Sequence, residues 1–324
     1  MKRVVLAYDG GGETSIAIPW LGDADNGGRG AAEVVAMVLD VGRGAALVEV
    51  RERALALGAV RCHVIDAREE FARDYILPAL HAGAFADGRS PQVATLQYPL
   101  IAKKLVDVAR MEDADAIAVP AGRATDTETI EMLVRSLEPS REIIVPANHG
   151  MMSGDAVRGY ARAHGVDLEA NAAMPAVDAN IWGRAITIDL DATPSLASPV
   201  PAYELTRSPE HAPDQSADLE IEFEAGTPVR VNGIDMSLVE MIESLETIGG
   251  SHGIGRVDLT TTGRDGRRYR EISESPAAAI LGTAWTALGL ARMTGTARVR
   301  LFKGECSARE TTGHAVARAA TAQR

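Results

Sequence analysis

Short apolar runs alternate with segments of helical period across residues 3–164, and few architectures can bury such a pattern. A run at 3–8 leads through a turn at 9–13 into a helix from Thr14. A Gly/Asp/Asn-rich loop at 22–30 then connects to a second run at 33–39. A helix at 47–57, with Leu47, Val50, Ala54 and Leu57 as its apolar positions, precedes a short strand at 62–65. Further helices are predicted at 71–80, 101–109 and 154–164, and further strands at 116–119 and 143–145. Strands joined by helical crossovers pair in parallel, so the predicted sheet carries helices on its faces. After about residue 168 the rhythm changes. An irregular Ala- and Pro-rich stretch runs through 208–216, followed by antiparallel-type strands at 219–223 and 297–302 and helices at 237–248 and 277–288. The predicted fold class is α/β: a parallel-sheet domain over 1–168, then an α+β domain over 169–324.

Composition narrows the function classes. The chain has 324 residues, enough for two cores, with 46% hydrophobic and 24% charged residues, which disfavours disorder and fibrous structure. No apolar run approaches the roughly 18 residues of a membrane span. The opening MKRVVLAYDG is too short in its apolar part for a secretory signal and reads as a strand of a cytoplasmic protein. A net charge of −12 argues against nucleic acid or an anionic membrane as partner. Cys62 and Cys306 are too far apart in sequence for a metal-ligand spacing and read as buried apolar residues, and no histidine has a second ligand at i+2 to i+4. No metal site is predicted from these residues. Aromatic residues make up 4%, so Ala, Val, Leu and Ile must fill the core.

Between the first strand and helix lies Asp9-Gly10-Gly11-Gly12-Glu13-Thr14-Ser15. Glycines there let the backbone approach a phosphate, and the helix N-terminus offers free amides. The turn fits neither the Walker pattern, which needs a Lys, nor a dinucleotide fingerprint. Read alone it is either an anion site or a tight connection. The wider segment AYDGGGETSIAIPWL (7–21), however, resembles the AYSGGLDTSVAIPWL opening of argininosuccinate synthases, which are N-type ATP pyrophosphatases. The similarity continues in order through 40–42, 50–60, 66–75, 99–105, 178–184, 252–258 and 300–304.

The resemblance implies an adenine nucleotide alpha hydrolase-like domain followed by a synthetase-type domain. It also implies a carbon–nitrogen ligase that uses ATP and Mg²⁺ to adenylylate an acceptor, from which an amino acid then displaces AMP. Carried over residue by residue, it places Tyr8, Asp9, Gly10, Gly11, Gly12, Thr14, Ser15, Asp40 and Gly122 on the nucleotide, and makes Asp126 and Glu13 the candidate catalytic carboxylates. Substrate positions fall at Thr95, Tyr98, Thr125, Thr129, Thr187, Thr261, Ser273 and Glu274, with Asp126 and Thr125 toward the amino-acid donor, expected to be aspartate.

Several of these positions depart from the family pattern. Asp9 stands where the family has Ser, and Glu13 where it has Asp. A carboxylate at 9 either faces pyrophosphate, where two unit charges at roughly 4 Å repel by about 1–4 kcal/mol, or turns to cap the helix. Tyr98 replaces an Arg, Thr125 an Asn, Thr129 an Arg, Thr261 a Glu, and Ser90 and Ser273 replace tyrosines. Citrulline needs paired charges and oriented hydrogen bonds, and each group left unpaired costs about 1–3 kcal/mol. The expected acceptor is therefore something other than citrulline, and the competing expectation is an inactive homologue kept as a binding or regulatory subunit. Relative to the family, a segment after the helix at 277–288 and a C-terminal arm are missing, so a homodimer is expected rather than a tetramer. Trp182 either stacks on a ligand or packs internally.

Overall fold

A computed structural model describes residues 2–24, 30–42, 47–85, 92–119, 127–146, 155–166, 168, 176–191, 201–263, 266–289 and 293–315. The chain divides into two compact units. The first comprises Met1–Ala67, Ala94–Asp178 and Asp191–Val200, and the second comprises Arg68–Val93, Ala179–Leu190 and Pro201–Arg324.

The first unit is built on a five-stranded sheet of β1 (Lys2–Ala7), β2 (Ala32–Asp40), β3 (Arg61–Asp66), β4 (Ala116–Ala118) and β5 (Glu142–Ile144). The strand order is β3-β2-β1-β4-β5 and every pairing is parallel. Side chains alternate across a strand, so β1 feeds two cores. Val4, Leu6 and Tyr8 pack with α1 (Gly12–Gly22) and α2 (Leu47–Ala56). Val5 packs instead with α5 (Tyr98–Met111) and α6 (Thr127–Leu137). Few of the packed side chains are aromatic, and small ones such as Ala36, Ala102 and Ala116 allow helices and sheet to approach closely. The first unit also contains α7 (Asp155–Ala163).

In the second unit, β8 (Ala217–Glu224), β9 (Thr227–Val231), β10 (Ile234–Asp235), β13 (Met293–Phe302) and β14 (Glu305–Ala315) form an antiparallel sheet in the order β10-β9-β8-β13-β14. A four-stranded sheet has the order β11-β12-β7-β6, from β11 (Arg256–Thr262), β12 (Arg268–Glu274), β7 (Gly183–Asp189) and β6 (Ala176–Asn180). Two helices, α8 (Leu238–Ser251) and α9 (Pro276–Ala287), supply the buried Leu245, Ile280 and Trp285. Ser237 opens α8 with a reciprocal cap: its hydroxyl accepts from Glu240 N–H while the Glu240 carboxylate accepts from Ser237 N–H.

Three expectations are corrected. The stretch after residue 168, read as irregular, contains β6 and β7. The helix expected at 71–80 begins earlier as α3 (Arg68–Phe71) and passes through a π-helical turn (Ala72–Ile76) into α4 (Leu77–His81). Helix α6 occupies residues that carried no predicted element. The β6–β7 hairpin turns at Gly183, whose φ of 151° and contact with the Glu274 carbonyl leave no room for a Cβ.

Candidate functional site

The carboxyl ends of β1 and β2 lie at one edge of the parallel sheet, and the order β3-β2-β1-β4-β5 places its topological switch between β1 and β4. Ligands of open α/β sheets bind at such an edge. The glycine turn lies there, directly after β1. Gly10 has φ of 82°, and a Cβ on it would stand 3.0 Å from the Val50 side chain of α2. From the same face of α2, Arg53 donates to the Gly10 carbonyl at 2.8 Å. The turn is thus pinned by a left-handed glycine, a close side chain and a hydrogen bond. Arg53 was not among the expected residues, although it falls three positions after Val50, on the same helix stripe.

Asp9 turns inward on the loop. Its Oδ1 accepts from the Gly11 amide at 2.8 Å and from the Thr14 hydroxyl. This is the capping alternative, although Gly11 rather than Asp9 is the residue flanking α1. Thr14 and Ser15 are buried, and the Ser15 hydroxyl lies 3.0 Å from the Tyr8 hydroxyl. Burial pushes the Tyr8 phenol up, more than its bond to Ser15 lowers it, so it stays neutral. Glu13 lies in the first turn of α1 and is half-buried. Asp40 ends β2, where its Oδ1 accepts from the Gly42 amide at 2.8 Å. Tyr8 to Ser15 and Asp40 therefore share one edge of the sheet. Gly122, Thr125 and Asp126 follow β4 in the chain and lie outside the described residues, as does Ser90.

The other candidates are dispersed. Thr95 is exposed in a short 3₁₀ turn (Thr95–Gln97), Tyr98 is 5% exposed and packed in the core beneath β1 and β2, and Thr129 is half-buried in the first turn of α6.

In the second unit, β-sheet register resolves the remaining four. Ser273 opposes Val257 and Ala185, Glu271 opposes Leu259 and Thr187, and Tyr269 opposes Thr261 and Asp189. Opposed residues share a face, so Thr187, Thr261 and Ser273 project to the same side. Ser273 is fully buried, and its hydroxyl finds no hydrogen-bond partner among the described residues. Glu274 projects to the opposite face. There its carboxylate accepts from the amides of Glu204, Leu205 and Thr206 at 2.8–3.0 Å and from the Thr206 hydroxyl at 2.7 Å, with Arg184 3.5 Å away. Its oxygens are committed to the 204–206 loop. Asn180, also absent from the expected set, is fully buried; its amide donates to the Val93 carbonyl at 2.8 Å and its oxygen accepts from Trp182 N–H at 2.9 Å. Trp182 packs on Phe85, with ring centroids 4.8 Å apart.

Neither cysteine is primed for nucleophilic chemistry. Burial pushes the Cys306 thiol up to about 11 and raises that of Cys62. Among the described residues no three His, Cys, Asp or Glu side chains are grouped to hold a metal ion, and no helix is long and apolar enough to cross a membrane.

A parallel β3-β2-β1-β4-β5 sheet with a pinned glycine turn at its carboxyl edge defines an α/β protein of the nucleotide-binding class. The model of the arginosuccinate synthase N-terminal HUP domain matches residues 3–167, and that of the arginosuccinate synthase C-terminal domain matches residues 176–311. Argininosuccinate synthase of Bacillus velezensis is 42% identical over 285 residues, covering 87% of this chain and 69% of the relative. That of Bacillus subtilis is 41% identical over 282 residues, covering 86% and 68%. That of Listeria monocytogenes is 40% identical, covering 87% and 69%. The chain belongs to the argininosuccinate synthase family, a family of ligases.

Proposed function

We propose that this chain is an ATP-dependent, AMP-forming carbon–nitrogen ligase that joins an amino acid, aspartate by resemblance, to an adenylylated acceptor other than citrulline. The pinned glycine turn carries the ATP assignment: with glycines at 10, 11 and 12 the turn has no Cβ of its own to hold a phosphate away from its backbone, and it stands at the start of α1. Gly10, Gly11, Gly12, Thr14 and Ser15 would hold pyrophosphate, with Tyr8 supporting Ser15 and Asp40 near the nucleoside. Gly122, Thr125 and Asp126 would complete the nucleotide and donor side, with Asp126 and Glu13 as candidate catalytic carboxylates. ATP supplies an adenylyl group to the acceptor oxygen with loss of pyrophosphate, and Mg²⁺ neutralises the phosphate charge. The chain's own contribution is positioning.

The acceptor assignment rests on the face that carries Thr187, Thr261 and Ser273. It offers small neutral hydroxyls, one of them buried without a partner among the described residues. By the same register Glu271 and Asp189 also project to that face, so the support for an acceptor other than citrulline is that small hydroxyls stand at 261 and 273, where the resemblance places Glu and Tyr. Thr95, Tyr98 and Thr129 belong to the same reading through the resemblance. The domain division at 168/169, a homodimeric assembly and a cytoplasmic location are parts of the proposal, as is the absence of nucleic-acid and membrane partners.

ATP–pyrophosphate exchange with Mg²⁺ and a panel of neutral acceptors tests the reading, with thermal stabilisation by ATP measured in parallel. Exchange that requires both ATP and one of the acceptors supports it. Stabilisation by ATP with no exchange for any acceptor supports an inactive homologue acting as a binding subunit.

A further inference from the structure

We propose that the Asp9 carboxylate is an internal competitor of the nucleotide's pyrophosphate, closing the glycine turn until ATP displaces it; this rests on the assignment of the turn to ATP. One carboxylate oxygen takes the Gly11 amide at 2.8 Å and the Thr14 hydroxyl together. A backbone amide at a helix start and a hydroxyl in its first turn are the donors an incoming phosphate oxygen would use. The carboxylate also occupies the space above the glycine backbone, since a Cβ on Gly11 would lie 3.0 Å from Asp9 Oδ1. Gly11 therefore keeps the close approach that a phosphate needs, and Asp9 fills it.

The rest of the turn is fixed. Arg53 holds the Gly10 carbonyl, Val50 crowds the Gly10 α-carbon, and Tyr8 meets Ser15 behind the helix start. Opening the site is therefore a rotation of the Asp9 side chain, with no remodelling of the backbone. Two effects act against the nucleotide in the closed state. Two donors are engaged, and a negative charge stands where a polyanion must sit. The same contact disfavours retention of pyrophosphate once it is formed.

The test is isothermal titration of inorganic pyrophosphate and of ATP, each with Mg²⁺, into the parent chain, Asp9→Asn and Asp9→Ser. Asparagine keeps an acceptor for Gly11 and Thr14 but removes the charge, whereas serine removes both charge and reach. Pyrophosphate affinity is expected to rise about tenfold in Asp9→Asn and further in Asp9→Ser, with ATP following; each tenfold step corresponds to about 1.4 kcal/mol. If Asp9→Ser does not fold, Asp9→Asn decides alone. Tight ATP binding by the parent with no gain in a folded variant overturns the Asp9 proposal and leaves the ATP assignment standing. Failure of all three proteins to bind either ligand overturns both.

Discussion

Replacing Glu274 separates a loop anchor from a substrate ligand. Its side chain is 1% exposed and accepts four hydrogen bonds, three of them from consecutive backbone amides. Thr206, which supplies two of the four, also accepts from Arg256 through its hydroxyl and its carbonyl, at 2.6 Å each. Arg256 in turn stacks over Tyr203 at 4.0 Å. Glu274→Ala leaves three amides unpaired, that of Thr206 buried, and Arg184, only 5% exposed, without its buried counter-charge. Breaking a buried charge pair typically costs about 3–5 kcal/mol. Hydrogen bonds to a charged group are worth about 1.5–3 kcal/mol each but do not add when they share one anchor. The expected loss is therefore about 4 kcal/mol for Glu274→Ala. About 2 kcal/mol is expected for Glu274→Gln, whose amide oxygen keeps the bonds at one site while its NH₂ faces a donor. For a unit of roughly 150–250 residues each kcal/mol moves Tm by about 2–4 °C. Calorimetry should thus show the transition of the second unit lowered by about 8–16 °C in Glu274→Ala and by about half that in Glu274→Gln. A Glu274→Ala protein that melts within about 2 °C of the parent yet loses turnover would refute the anchor role and return Glu274 to the substrate.

Three shorter predictions follow from the same structure. Gly10→Ala forces a Cβ into a φ of 82° against Val50; it should cost about 1–3 kcal/mol and weaken ATP binding, and equal ATP affinity by titration would contradict the pinned turn. Asn180→Ala, which frees the Val93 carbonyl and Trp182 amide inside the second unit, should lower stability by about 2–3 kcal/mol in urea unfolding, whereas a surface-like effect under about 0.5 kcal/mol would contradict it. Burial pushes the Glu112 carboxyl up, but hydrogen bonds from His63 and Arg61, with their charge, outweigh it and hold it below its ordinary 4.5. A carboxylate depressed in the folded state contributes stability that is complete above its ordinary value and is lost as pH falls through the folded value. Glu112→Gln should therefore flatten the decline of the urea midpoint below about pH 4.5, and parallel declines in the two proteins would contradict that.

The parallel sheet was legible because its strands, buried on both faces, read as unbroken apolar runs such as 3–8 and 33–39. The β6–β7 hairpin and β11 were not. β6 is short and rich in alanine, and β11 is exposed from Asp258 to Thr262 with no alternation to mark a face. Their strand character comes from pairing, of β6 with β7 and of β7 and β11 with β12, which is a tertiary property. Helix α6 does carry a helical stripe, with Ile130 and Val134 buried, but Thr129 enters the sequence reading only as a site residue carried over by resemblance. The glycine turn was legible from its residue types. The direction of Asp9 was not, because it depends on the Gly11 amide and Thr14 hydroxyl meeting one oxygen. Ser273 and Glu274 were grouped as neighbours, yet a strand at 268–274 places them on opposite faces; recognising that strand would have separated them.

Pyrophosphate release separates a family ligase with a changed acceptor from one that uses citrulline. The parent protein is supplied with ATP, Mg²⁺ and aspartate, with citrulline in one arm and neutral polar acceptors in the other. Background release with citrulline and acceptor-dependent release with at least one neutral compound are expected. Full turnover with citrulline, and none with the panel, would contradict the changed acceptor.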